Sequence, residues 1–131
     1  MKTIKQKALF DAAPHDVFEA LMDSKKHREF TGAKATLSRK VGGAFSVWNG
    51  FAKGKNLQLV KDKKIVQSWR ANDWPKGAVS RVVFDISSSK HGTELLFSQN
   101  GVPEEFAKDI EQGWIDFYWK PMARMFAKAK N

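Results

Sequence analysis

A long amphipathic segment rich in aromatic residues follows directly after a series of strand-like stretches. Residues 103–128 begin with a proline and two glutamates and finish with lysine and arginine, which suits the dipole of one helix. Residues 35–100 consist instead of β-branched and aromatic stretches separated by glycine or polar turns. A helix with an apolar face must bury it against another element. The order predicts an α+β fold in which a curved antiparallel sheet closes around a C-terminal helix.

Three hairpins are predicted in the strand-like region. Asn49-Gly50 lies between two strands, and both residues tolerate the positive φ of a tight turn. Further turns are predicted at or near Lys61–Lys64 and near Ser88–Gly92. Successive hairpins predict a meander of antiparallel strands. Alternation along them predicts these inward-facing residues: Phe45, Val47, Ile65, Gln67, Trp69, Val82, Phe84, Ile86, Leu95 and Phe97.

Two short helices are predicted after a first strand over residues 2–10. Pro14 enters the first turn of a helix over residues 14–22. Ser24 is placed to cap a second helix that runs to Phe30.

The C-terminal helix carries its own pattern. Apolar residues recur every three or four positions and predict an inward stripe of Phe106, Ile110, Trp114, Phe117, Pro121 and Met125. Pro121 has no N–H for the carbonyl of Phe117, which predicts a kink near Tyr118–Lys120.

Composition narrows the classes of function. With no cysteine, the chain has no disulfide, thiolate nucleophile or cysteine-based metal site, and a cytoplasmic location is expected. No stretch approaches the roughly 20 apolar residues that span a bilayer, so no membrane insertion is expected. The net charge is +9, but the basic residues are scattered, which favours a solvated surface over nucleic-acid binding. The length suits a single domain over residues 1–131.

Six motifs occur in order along nearly the whole chain: Asp23–Gly32, Val41–Phe45, Gly54–Leu57, Ile65–Arg70, Gly101–Pro103 and Gly113–Pro121. Together they resemble the family of homologues of the heat-shock protein 90 ATPase activator, in its C-terminal domain. That family belongs to the START and birch-allergen-like helix-grip (SRPBCC) superfamily. The resemblance implies a sheet of six or seven strands that grips the long helix, with a cavity for apolar ligands between them.

Aromatic side chains from the helix and the sheet are expected to face each other. The predicted ligand-binding residues are Phe45, Trp69, Trp74, Phe84, Phe97, Trp114, Phe117 and Tyr118. The alternative is that these aromatics fill the core completely. Gly113 costs about 1 kcal/mol relative to alanine inside a helix, so it either makes room for a ligand or allows close contact between helix and sheet. Trp74 is either a lid or anchor at the mouth of the pocket, or it packs under a loop beside an exposed Arg70–Asp73 pair.

Catalytic and metal sites are not supported by the sequence. His15, His27 and His91 are predicted to be dispersed surface residues, and no metal-binding motif or cofactor is indicated. No serine lies in a nucleophile motif. The remaining candidates for acid–base chemistry are Glu111, Asp116 and Tyr118.

We therefore predict a protein that binds an apolar or aromatic small molecule. The alternative is a co-chaperone-like interaction module with a chaperone partner. Its basic surface would steer it to an acidic partner of this kind. The oligomeric state stays open.

Overall fold

A computed structural model describes residues 1–129. Its strands are β1 (Lys2–Phe10), β2 (Thr36–Leu37), β3 (Ala44–Val47), β4 (Ala52–Val60), β5 (Lys64–Ala71), β6 (Ser80–Ser89) and β7 (Gly92–Val102). Its α-helices are α1 (Pro14–Met22), α2 (Ser24–Thr31), α3 (Ala107–Trp114) and α4 (Lys120–Ala129). A 3-10 turn (Glu104–Phe106) precedes α3, and a π-helical turn (Ile115–Trp119) joins α3 to α4.

The strands form one seven-stranded antiparallel sheet in the order β1-β7-β6-β5-β4-β3-β2. Strands β2 to β7 are therefore a meander, as the hairpin pattern predicts, and β1 returns to pair with β7. All ten residues predicted to face inward are buried. The C-terminal helix packs across this apolar face, so the helix-grip architecture is confirmed.

The three predicted turns are confirmed, and the first has an unusual backbone. Between β3 and β4, Trp48, Asn49 and Gly50 have φ values of 55°, 58° and 87°. Such values are ordinary for glycine and tolerated by asparagine, but they are uncommon for a bulky residue such as tryptophan. Contacts on both sides of Asn49 hold the turn: its backbone N–H donates to the carbonyl of Lys34 at 3.1 Å, and its Oδ1 accepts from the Lys34 N–H at 2.9 Å.

The two short helices lie where the sequence predicts them, but the capping residue differs. Asp23, not Ser24, caps α2, because its Oδ2 accepts a hydrogen bond from the Lys26 N–H at 3.0 Å. Asp23 has an extended backbone between the two helices, which is the conformation of an N-cap residue. The Ser24 hydroxyl accepts instead from the Leu37 N–H at 2.8 Å and ties α2 to β2.

The inward stripe of the C-terminal helix is correct up to Trp114, and after it the buried positions lie one residue later than predicted. The buried residues are Trp114, Tyr118, Trp119, Met122 and Phe126, whereas Phe117 is exposed and Pro121 and Met125 are partly buried. Met125 still packs against the core, as Phe106 and Ile110 do. The π-helical turn is the cause. The buried residues recur at intervals of four, which is longer than the 3.6-residue period of an α-helix. One π-helical turn, which is wider than an α-helical turn, accommodates the extra length.

Pro121 explains why the irregularity falls there. It has no N–H for the carbonyl of Phe117, so a regular ladder of α-helical hydrogen bonds would leave a gap at this point. The backbone forms a wider turn, in which the Lys120 N–H donates to the carbonyl of Ile115. The kink predicted at Tyr118–Lys120 thus takes the form of a π-helical turn.

Two indole groups anchor the helix to the sheet. Nε1 of Trp114 donates to Oε1 of Gln99 at 2.8 Å, and Gln99 donates in turn to the Ser80 hydroxyl at 2.9 Å. Nε1 of Trp119 donates to Oε1 of Gln6 on β1 at 2.7 Å. These bonds hold both ends of the π-helical turn in register with the strands.

Of the helices described over residues 1–129, none is both long and apolar enough to cross a membrane.

Candidate functional site

An open groove of about 400 Å³ lies along α3, between the helix and two loops of the sheet. Aromatic rings supply most of its lining. The residues that line it are Trp48, Phe51, Trp69, Asp73, Phe106, Asp109, Ile110, Gly113, Trp114, Phe117 and Tyr118. This volume lies within the range of about 300–1,000 Å³ that is usual for small-molecule sites.

The floor of the groove is rigid. Trp114 packs against Tyr118 and Trp69, with ring centroids 4.4 and 5.8 Å apart. All three rings are buried, and the bond from Trp114 to Gln99 holds the central one in place. Packing and hydrogen bonding together hold this surface in one arrangement.

One wall is built by the turn between β3 and β4. The Trp48 ring lies 5.2 Å from that of Phe117, across the groove from β5. The carbonyl of Phe51 accepts a hydrogen bond from the Asn72 N–H at 2.7 Å, which links this turn to the loop between β5 and β6. The turn and the loop therefore form one connected wall.

Phe117 is the most informative residue of the lining. Its side chain is 54 % exposed, although the sequence predicts it to face the sheet. The π-helical turn rotates it out of the core and places it at the mouth of the groove. A large apolar side chain left in contact with water is a favourable surface for an apolar ligand.

Gly113 faces the groove and not the sheet. A β-carbon built at this position would meet only Cδ2 of Phe117, at 3.8 Å. Of the two roles considered for this glycine, close contact between helix and sheet is therefore excluded. The missing side chain leaves space inside the groove.

The loop between β5 and β6 is fixed by Arg70. Its guanidinium donates to the carbonyls of Trp74, Pro75 and Ala78 at 2.6 to 2.8 Å. The expectation that Arg70 forms an exposed pair with Asp73 is wrong, because no ion pair joins the two within residues 1–129 and the guanidinium is directed to these three carbonyls.

Trp74 packs under this loop and does not form a lid. Its side chain is 3 % exposed and its ring lies 5.4 Å from that of Trp69, on the core side of the groove. Asp73, its neighbour, lines the groove instead.

Behind the floor, the interior is nearly filled. A void of about 10 Å³ remains between the sheet and α2, at the lower limit for one water molecule. Phe45 and Phe84 line this void, and Phe97 packs against Trp114 with centroids 4.4 Å apart. These three predicted site residues therefore belong to the core behind the groove, whereas Trp69, Trp114, Phe117 and Tyr118 line the groove itself.

His27 is buried, contrary to the prediction that it lies on the surface. It is 3 % exposed, and its Nε2 lies 3.1 Å from the hydroxyl of Tyr118. Burial lowers the pKa of His27 to about 4, and the nearby carbonyls of Leu21 and Ala20 offset this only in part. Burial likewise raises the pKa of Tyr118. Both groups are neutral at physiological pH, so the hydroxyl can donate to the ring nitrogen.

The three candidates for acid–base chemistry do not converge. Glu111 is exposed, and Asp116 forms an ion pair of 3.5 Å with Lys120. Tyr118 lines the groove, but its hydroxyl is directed to His27. The groove thus brings together mainly apolar rings, and the two carboxylates that line it, Asp73 and Asp109, are not among these three candidates.

Sequence reasoning missed Trp48, Phe51 and Asp109 as lining residues. Trp48 and Phe51 flank the Asn49-Gly50 turn, where aromatic side chains on both sides of a hairpin turn were a usable signal. Asp109 lies one position before Ile110 of the predicted stripe. Because Asp109 is charged, the apolar pattern did not identify it as a residue beside the groove.

Comparison with known proteins agrees with this architecture. A relative from Dictyostelium discoideum, an activator of 90 kDa heat shock protein ATPase homolog, is 35 % identical over 86 % of the chain and 30 % of its own length. The human activator homolog 1 is 28 % identical over 94 % of the chain and 36 % of its own length. The chain spans about a third of the length of these curated relatives.

Solved structures share the fold over its full extent. The crystal structure of an HSP90 activator from Plasmodium falciparum matches with a TM-score of 0.89 and 23 % identity, over 97 % of each chain. The solution structure of an Aha1 dimer from Colwellia psychrerythraea matches with a TM-score of 0.83 and 17 % identity, over all of both chains. At these identities the structures show the fold alone. The family model of Activator of Hsp90 ATPase homolog 1-like proteins matches residues 11–127, and the chain belongs to that family.

Proposed function

We propose that the protein binds an apolar small molecule in the groove along α3. The observation that carries this proposal is an open, rigid, aromatic-lined volume of about 400 Å³ whose mouth includes the exposed ring of Phe117. Burial of apolar surface contributes about 25 cal/mol per Å², so covering such rings is favourable without any catalytic group.

Gly113 offers a direct test. A leucine at this position projects into the groove, where only Phe117 lies near the added β-carbon, so we expect the fold to be retained while the groove is narrowed. We expect the full chain to bind N-phenylnaphthylamine, an uncharged apolar dye, with a rise in dye fluorescence. Gly113→Leu should reduce the rise severalfold, whereas Gly113→Ala, the matched control, should retain most of it.

Thermal unfolding of both variants, followed by circular dichroism, checks that the fold persists. Absence of dye binding to the unaltered protein contradicts the proposal. Equal binding by a folded Gly113→Leu variant contradicts it as well, since the dye would then be held elsewhere.

A second candidate function is a co-chaperone-like interaction with heat-shock protein 90. It is favoured by the names of the relatives, which are activators of that ATPase, and by the net charge of +9, which complements an acidic partner. The relatives are about three times as long as this chain, so their whole activity does not transfer with the resemblance.

The ATPase rate of heat-shock protein 90, measured with and without the protein, tests this second function. A rise that falls steeply with added salt supports a charge-guided interaction. An unchanged rate, together with no retention of the chaperone on the immobilised protein, contradicts it. Gly113→Leu separates the two functions, because a chaperone effect that is independent of the groove survives the substitution.

A further inference from the structure

The charge of the groove is opposite to the charge of the protein. The chain has 23 lysines and arginines against 14 aspartates and glutamates. Yet among residues 1–129 the charged side chains that line the groove are two aspartates, Asp73 and Asp109. The lining itself therefore carries negative charge, on a protein whose net charge is positive.

Both carboxylates are available to a ligand. Within residues 1–129, neither Asp73 nor Asp109 forms a salt bridge or a side-chain hydrogen bond. Arg70, the nearest arginine along the chain to Asp73, uses its donors on three backbone carbonyls. The negative charge at the mouth is thus not neutralised by the protein itself.

Asp73 is held at the mouth by its neighbours. The carbonyl of Trp74 accepts from Arg70 at 2.8 Å, and the Asn72 N–H donates to the carbonyl of Phe51 at 2.7 Å. Asp109 lies in the first turn of α3, where its charge also suits the helix dipole. The helix dipole explains why an acidic residue is favoured at position 109. It does not explain the acidic residue at position 73, or why both carboxylates lie at the same groove.

The aromatic lining of the groove also favours a positively charged group. The face of an aromatic ring carries a partial negative charge and attracts a cation, most strongly for tryptophan. Phe117, which is 54 % exposed, and Trp48, whose ring lies 5.2 Å from that of Phe117, both line the groove. A positively charged group near them therefore meets ring faces as well as carboxylates.

We propose that the ligand of the groove is a hydrophobic cation, an apolar or aromatic small molecule that carries a protonated amine. Its apolar part lies on Trp69, Trp114 and Tyr118, and its ammonium group lies at the mouth beside Asp73 and Asp109. This inference rests on the proposed function, since it assigns the charge of a ligand held by the same groove. The overall charge of +9 alone would favour the opposite choice, an anionic ligand.

Three probes with one ring system test the charge preference. Naphthylmethylamine is a cation at neutral pH, naphthylmethanol is uncharged and naphthoate is an anion. Each is titrated into the full chain labelled with ¹⁵N, and the indole N–H signals of the five tryptophans are followed by NMR. We expect the amine to bind roughly fivefold more tightly than the alcohol, and naphthoate to bind most weakly.

Variants assign the preference to the two carboxylates. The double variant Asp73→Asn with Asp109→Asn should bring the affinities of amine and alcohol to within about twofold of each other, because the ring contacts remain. The control variant, Asp85→Asn with Glu29→Gln, removes two exposed carboxylates outside the groove and should leave the preference unchanged.

The outcomes separate the two proposals. Equal binding of all three probes, or tightest binding of naphthoate, overturns the charge assignment and leaves apolar binding in place. A preference for the amine that is equal in both double variants also overturns it. No binding of any probe overturns the charge assignment together with the proposed function.

Discussion

The hydroxyl of Tyr118 and Nε2 of His27 lie 3.1 Å apart, and this hydrogen bond ties the C-terminal helix to α2. Both side chains are buried. The contact lies on the core side of the groove floor, because Tyr118 lines the groove while His27 lies behind it. The state of this pair therefore affects the stability of the fold directly beneath the proposed binding site.

Stability should fall as the pH is lowered, because His27 is buried in its neutral form. Its pKa is about 4 in the folded protein, against 6.5 as the usual value, so the unfolded chain binds a proton first. The stabilisation is present above pH 6.5 and is lost as the pH falls toward 4. We expect the free energy of unfolding at pH 5 to lie roughly 2 kcal/mol below its value at pH 7.5 from this residue alone. Urea unfolding at both pH values measures it.

The variant His27→Gln should remove this part of the pH dependence, and His91→Gln, which replaces an exposed histidine in the turn before β7, should not. Equal pH dependence in the original protein and the His27→Gln variant would show that this imidazole does not govern the acid response.

Gln99 should be far more important for stability than Gln6, although each accepts a hydrogen bond from one indole. Gln99 is fully buried, so Gln99→Met leaves Trp114 and Ser80 without their shared partner and should cost about 2 kcal/mol or more. Gln6 is only half-buried, so water can reach Trp119 in Gln6→Met and the loss should stay below about 1 kcal/mol. Thermal and urea unfolding compare the two, and equal losses would contradict this account.

Gly113→Ala should stabilise the protein. Alanine is favoured over glycine inside a helix by about 1 kcal/mol, and the added methyl group meets only a ring atom of Phe117 at 3.8 Å. The expected outcome is a higher melting temperature in differential scanning calorimetry. A lower melting temperature would mean that the backbone or the space at this position is more restricted than the contacts indicate.

Arg70→Met should loosen the loop between β5 and β6 without unfolding the sheet. The substitution keeps much of the apolar stem but removes the donors to three loop carbonyls. Hydrogen exchange followed by mass spectrometry should show faster exchange over residues 72–79 and unchanged exchange in β6. Arg81→Met, at an exposed position on β6, is the control and should alter neither segment. Unchanged exchange in the loop of Arg70→Met would show that other contacts hold it.

The sheet and its inward face could be predicted because strand alternation and turn residues are local signals. Residues two positions apart on a strand face the same side of the sheet, independently of the rest of the chain. Examples are Phe45 with Val47 and Phe84 with Ile86, and both pairs are buried. The register of the C-terminal helix beyond Trp114 could not be predicted in the same way. It depends on one wide turn, which has no local signature apart from Pro121.

His27 illustrates a second limit. It lies in α2 among lysine, arginine and glutamate, so a local reading assigns it to the surface. Its burial follows from Phe30, one helical turn later, which shares the same face of α2 and packs against Tyr118 with ring centroids 5.6 Å apart. The hydrogen bond between His27 and Tyr118 spans 91 positions of the chain, and only the tertiary arrangement reveals it.

The shape of the groove depends on one extra residue in the π-helical turn. From Trp114 to Phe126 the buried residues recur every four positions. The extra residue in the π-helical turn moves Phe117 from the interior to the rim of the groove. Deleting one residue from this turn would restore ordinary helical spacing and draw a different ring inward. The length of this turn therefore determines which aromatic ring stands beside the groove, and substitutions, which keep the number of residues, leave that length unchanged.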